Sequence, residues 1–191
     1  MPAVKRITKE AVINAAVDVM REGGFTAVNA RSVAKKLGCS TQPIYLSFNN
    51  MEELKAELTK RAVEMHEKRV REFLRAHEGC DSRYSSYGMG FVQFAAQEKQ
   101  LFRWLYLEGG QQGTFQDDVL HTEVIGTIVE ELGYDEETAE KFHQDMTYYS
   151  YGLAILANTG HLYLTEAELR EAFRREFLSL TAYYGTPPEM Q

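Results

Sequence analysis

Residues 31–54 read RSVAKKLGCSTQPIYLSFNNMEEL, and the reading of this stretch decides the fold. A short helical pattern ends at Gly38, Ser40-Thr41 opens a second short helix carrying Tyr45, and a third helix follows at once from Met51. Asn29 is a good N-cap for the first helix and Gly38 a good left-handed terminator. Val33, Ala34 and Leu37 fall at helical spacing and predict its buried face. Cys39 is small and apolar, suited to a buried turn position, and Ser40 is placed to cap the next helix. Pro43 would break a helix interior but is tolerated in a first turn, where its missing N–H has no intrahelical partner. Ile44 and Phe48 lie four apart and point inward, which leaves Thr41, Gln42, Tyr45 and Leu46 facing out. Asn50 followed by Glu53 reads as a capping box for the third helix. This is the layout of a helix-turn-helix, whose second helix enters the DNA major groove.

Upstream, Thr8 to Glu22 forms a helical pattern with Ala11, Ile13, Ala15, Ala16, Val19 and Met20, and it runs into Gly24-Phe25. With Tyr45-Leu46-Ser47-Phe48 in the second helix of the motif, Thr8 to Leu54 resembles the DNA-binding domain of the TetR family of bacterial transcriptional regulators. The resemblance covers about a quarter of the chain. It implies a DNA-reading head, a larger helical domain that binds a small-molecule effector, and dimerisation through the last two helices. Two positions depart from the family pattern. Many members have a phosphate-contacting Lys where this chain has Met51, and His or Tyr where it has Ser47; both departures remove contacts to the DNA backbone.

The net charge of -7 taken alone argues against a nucleic-acid partner, but its distribution reverses the argument. Residues 1–77 hold 14 Lys+Arg against 9 Asp+Glu, and the remaining 7 Lys+Arg face 19 Asp+Glu beyond them. A basic end on an acidic body is expected of a DNA reader joined to a domain that does not touch DNA. Lys60 is explained by a helical pair with Glu64. Lys5, Arg6, Lys9, Arg31, Lys35 and Lys36 have few acidic neighbours in sequence. No signal peptide is evident and no apolar run approaches the ~20 residues of a membrane span. Cys39 and Cys80, the two cysteines, stand at unrelated spacing and fit a reduced cytoplasm. A Cys39–Cys80 redox switch is the alternative to two free thiols.

Beyond the motif the chain reads as helical throughout. Met51 to about His77 is a connecting helix, broken by residues 77–81. Ser82–Gln97 and Glu98–Glu108 follow, then a loop at Gly109-Gly110-Gln111-Gln112-Gly113. Asp117–Leu132, Asp135–Thr159 and Thr165–Tyr184 complete the set, the last opened by a Thr165/Glu168 capping box. Nothing alternates with period two for long, and no repeat or low-complexity segment occurs. The expectation is an all-α fold of about nine helices: a DNA-binding domain at 1–50, a connecting helix at 51–77, an effector-binding and dimerisation domain at 78–186 and a tail at 187–191.

The last two helices carry apolar stripes. Phe142, Met146, Tyr149, Leu153 and Leu156 recur at steps of four and three, as do Leu169, Phe173, Phe177, Leu180 and Tyr184. Tyr148, Tyr151 and Ile155 lie off the first stripe, and Ala172, Leu178 and Tyr183 off the second; a helix apolar on two sides is buried on two sides. Tyr149, Leu153, Leu156, Leu169, Phe173, Phe177 and Leu180 are therefore expected at the interface of a homodimer, the arrangement the resemblance implies and the one suited to a palindromic operator. Most of the chain's aromatics lie beyond residue 80. Tyr87, Phe91, Phe94, Phe102, Trp104, Tyr106, Tyr148 and Tyr151 are the candidates for effector walls; ordinary core is the competing reading for each. Aromatic walls in an acidic domain suit a small, largely apolar or cationic effector.

No phosphate loop, nucleophile elbow or His-Glu-x-x-His helix occurs, so no enzyme, cofactor or metal is expected. His66 and His77, about three turns apart on one helix, are the weak exception. For DNA, Thr41, Gln42 and Tyr45 are expected in the major groove, with Ser40, Pro43, Leu46 and Ser47 beside them and Arg31 reaching from the preceding helix. Lys5, Arg6, Thr8 and Asn50 are expected to hold phosphates. The competing class is a protein–protein adaptor whose helix-turn-helix no longer binds DNA.

Overall fold

The structure, a computed structural model, describes residues 7–79, 82–110 and 120–185. Among these residues it has nine α-helices and no strand: α1 Lys9–Gly23, α2 Ala30–Leu37, α3 Gln42–Ser47, α4 Met51–Ala76, α5 Arg83–Gln97, α6 Lys99–Phe102, α7 His121–Leu132, α8 Glu136–Thr159 and α9 Glu166–Tyr184. A 3-10 turn, Phe25–Ala27, precedes α2, and a π-helical turn, Arg103–Leu107, continues α6. The chain separates into two compact units, the described residues of Met1–Met65 with Glu98–Gln111, and those of His66–Gln97 with Gln112–Gln191.

The first unit is built on α1, which buries Val12, Ile13, Ala15, Ala16, Val17, Val19 and Met20. Thr8 caps it, Oγ1 accepting from the Ala11 amide at 3.1 Å. Asn29 Oδ1 accepts from the Arg31 and Ser32 amides at 3.0 Å each, while Ser32 Oγ accepts from the Asn29 amide, a reciprocal box at the start of α2. Gly38 ends α2 with φ 69°, a left-handed conformation natural to glycine. The expected Ser40 cap is absent: Thr41 occupies the cap position and no side chain bonds the first turn of α3. Pro43 removes one amide a cap would satisfy, and the Ile44 amide already donates to the Thr41 carbonyl at 3.1 Å. At α4, Asn50 Oδ1 accepts from the Glu53 amide as expected, but the Glu53 carboxylate reaches back one residue further, to the Asn49 amide.

Residues 98–110, which the sequence reading placed in the second domain, pack in this first unit. Glu98 accepts two hydrogen bonds from the Arg21 guanidinium, at 2.9 and 2.5 Å. The Trp104 ring stacks on Phe25 with centroids 3.3 Å apart, and its Nε1 donates to Thr59 Oγ1 at 3.0 Å.

The second unit is centred on Phe142, fully buried among the rings of Tyr84, Tyr134, Phe177 and Tyr184 at 5.5–6.0 Å. Of the stripe residues expected at a dimer interface, Leu153 and Phe177 are half-buried and Leu156 is exposed. Leu169, Phe173 and Leu180 are buried within their own unit. Tyr149 donates to the Ala172 carbonyl at 3.3 Å, so this stripe fastens α8 to α9 of one chain. The bulkier phenylalanine face has more apolar area to remove from water and takes the intramolecular core. Phe173 also lies over α5: a Cβ added at Gly88 would stand 2.5 Å from its ring. Gly88→Ala is therefore expected to overpack this contact and cost about 1–3 kcal/mol in urea unfolding.

Glu123 on α7 ties three groups together, accepting from Tyr87 Oη at 2.6 Å, Arg71 at 2.8 Å and Arg83 at 3.3 Å. The Tyr87 hydrogen bond, with the two guanidiniums, holds its carboxyl below the usual carboxylate range. A depressed folded pKa gives stability that is present at neutral pH and is lost as pH falls through the folded value. Glu123→Gln should thus lose less melting temperature than the parent between pH 7 and pH 3.

Candidate nucleic-acid interface

The helix-turn-helix is anchored from below. Ile44 and Phe48 are buried with Val33 and Ala34, and these side chains hold α3 against the rest of the first unit. Leu37 and Cys39 are half-buried rather than buried as expected. The opposite face of α3 is open: Gln42 is exposed, Tyr45 is 53% exposed and Leu46 is 80% exposed. Thr41, Pro43 and Ser47 are half-buried, and Ser40 is exposed. The Ser47 hydroxyl donates to the Pro43 carbonyl at 3.1 Å, which commits its proton to its own helix.

The surrounding charges are fewer than the sequence count suggests. Lys36 is bound to Glu22 at 2.5 Å and faces Asp18 at 4.0 Å; the Glu22 hydrogen bond pushes its ammonium up. Lys9 lies 3.8 and 3.9 Å from Glu57 and Glu53, over the Phe48 ring. Glu64 pairs with Arg61 at 3.2 Å, the residue beside the expected Lys60. Arg31 and Lys35 are exposed on α2 and form no ion pair among the described residues. Lys35 was counted in the basic end but not singled out as a contact residue; it stands in solvent like Arg31. Thr8 and Asn50 are exposed, each with one side-chain oxygen spent on a helix cap. Lys5 and Arg6 lie outside the described residues.

The residues expected around an effector do not come together in one unit. Phe102, Trp104 and Tyr106 belong to the first unit, with Phe102 fully buried. Tyr87, Phe91, Phe94, Tyr148 and Tyr151 belong to the second. Phe94 is fully buried, Tyr148 is 54% exposed, and Phe91 meets Tyr151 with centroids 5.0 Å apart. The two helical histidines serve different ends. His66 is buried against Phe91 and Phe94, whereas His77 bonds Glu166 at 3.0 Å and stacks on Phe73. Cys80, the other half of the conceivable redox pair, lies outside the described residues.

On α8 and α9 the large apolar side chains left in solvent are Tyr148, Ile155, Leu178 and Tyr183, which lie off the stripes, and Leu156, which lies on the first. No helix among the described residues is long and apolar enough to cross a membrane.

Residues 12–58 match the family described as bacterial regulatory proteins, tetR family. No curated protein matches the chain significantly. Among solved structures, the chain is similar to a transcriptional regulator of Pseudomonas aeruginosa PAO1, with TM-score 0.61 and 16% identity over 91% of this chain and 90% of that one. It is also similar to a TetR-family regulator of Vibrio parahaemolyticus, with TM-score 0.58 and 15% identity over 90% and 97% of the two chains. A third similar structure is the flavonoid-responsive regulator FrrA, with TM-score 0.56 and 19% identity over 92% and 95%.

Proposed function

We propose, from the premise that this chain carries the N-terminal domain of the tetR family of bacterial regulatory proteins, that it is a ligand-responsive transcriptional repressor. It binds a palindromic operator as a homodimer and is released by a small effector. The observation that carries the reading is α3: its inner side chains are locked in the core while Gln42, Tyr45 and Leu46 stand in solvent. A rigidly held helix with an exposed polar and aromatic face is built to enter a groove. Arg31 and Lys35, unpaired beside it, supply phosphate contacts, with Thr8 and Asn50. Lys35→Ala should weaken binding to all sequences alike and reduce the salt slope of log K by about 2, one phosphate contact for each protomer. Titrating the variant across salt concentrations checks this.

The homodimer is supported by the exposed apolar side chains of Ile155, Leu178 and Tyr183 on the two closing helices. An effector response is supported by the aromatic second unit, where Tyr87, Phe91 and Tyr151 remain the best candidates for contact. The acidic excess beyond residue 77 favours a small, largely apolar or cationic compound. The likeness to a flavonoid-responsive regulator suggests flat aromatic compounds as the first to screen. By linkage, an effector that releases DNA must bind the DNA-bound protein more weakly by the same factor.

The test is a gel shift with the DNA upstream of the protein's own gene. A discrete shifted band that resists competitor DNA supports the reading, and its loss on adding a screened compound supports the effector. A smear that competitor removes at every salt concentration overturns it.

A further inference from the structure

We infer that α3 selects A·T base pairs, with thymine read through its methyl group by Leu46 and adenine read by Gln42; the inference rests on the DNA-binding reading above. Leu46 is 80% exposed on a six-residue helix whose neighbours Ile44 and Phe48 are fully packed, so the described residues leave it largely in solvent. In the major groove the apolar group offered by a base edge is the thymine 5-methyl. Gln42, four residues away, shares the same helical face. Its amide carries both a donor and an acceptor, matching adenine N6 and N7.

The converse is equally informative. Guanine is read by Arg or Lys and cytosine N4 by Asp or Glu. From Gln42 to Ser47 the helix reads QPIYLS and carries none of these. Among the described residues Arg31 is exposed on α2, not on the helix that faces these pairs. Four residues span about 6 Å of helix. That is close to two base-pair steps of ~3.4 Å, which places the adenine and the thymine two pairs apart, with one pair between them, in each half-site.

The test uses the full-length protein. Duplexes are selected from a random-sequence pool, and in the best binder each thymine is replaced in turn by deoxyuridine, which removes only the methyl. At one thymine per half-site, affinity should fall about fourfold, the transfer value of one buried carbon. Leu46→Ala should bind thymine and uracil duplexes equally. Gln42→Ala should lose about tenfold or more and relax the preference for adenine two pairs from that thymine. If specific sites emerge but every uracil substitution is silent, or if the discrimination survives Leu46→Ala, this inference fails while the DNA-binding reading stands. If no duplex is bound above competitor, both fail.

Discussion

Gln42→Ala combined with Tyr45→Ala is expected to abolish specific operator binding and leave the fold unchanged. Both side chains are exposed on α3 and neither anchors it, since the anchors are Ile44 and Phe48. A bidentate Gln–adenine pair contributes ~1–3 kcal/mol of discrimination, and a two-fold dimer loses it twice. Removing the Tyr45 ring from the same face takes away contact area as well. The combined loss should exceed about a hundredfold in affinity, while surface substitutions of this kind shift stability by only ~0.5 kcal/mol. Fluorescence anisotropy on a specific duplex and a urea melt of the same protein separate the two effects. Retained specific affinity in the double variant would remove α3 as the reading element.

Leu178→Asp together with Ile155→Asp is expected to yield folded monomers. Leu178 and Ile155 are 46% and 37% exposed in the single chain, so a carboxylate there is solvated in the monomer and desolvated only on association. Phe173→Asp makes the contrast. Phe173 is buried between α9 and the Gly88 turn of α5, and a charge there should unfold the second unit rather than divide a dimer. Light scattering with circular dichroism distinguishes the outcomes. A helical dimer in the Leu178/Ile155 variant would move the interface elsewhere.

Much of the fold was legible in the sequence because capping and termination are local chemistry. Asn29, Gly38 and Thr165 with Glu168 act where the chain text places them. Ser40 misled because its role depended on what the amide after Pro43 was already doing. The two stripes on α8 and α9 were visible, but periodicity reports that a face is apolar and not which surface covers it. The face that meets the other helices of its own chain and the face left in solvent both read as leucine and aromatic. The docking of residues 98–110 was hidden for a related reason. Phe25 and Trp104 each read as an isolated aromatic, and only the folded chain brings them together. Charge was the subtler case: Lys36 has no acidic residue at pairing distance on its own helix, yet Glu22 of α1 neutralises it. The α3 face was readable because Ile44 and Phe48 fix its orientation, and everything else on that helix follows from their spacing.

The most direct test of the account is sedimentation velocity of the full-length protein with a duplex carrying a site that it protects from nuclease. The account predicts a palindromic protected site and a complex of two protomers per duplex, dissociating as salt rises and absent with Gln42→Ala/Tyr45→Ala. Protein and duplex that sediment independently at low salt, with no protected site, would contradict it and return the chain to the class of protein–protein adaptors.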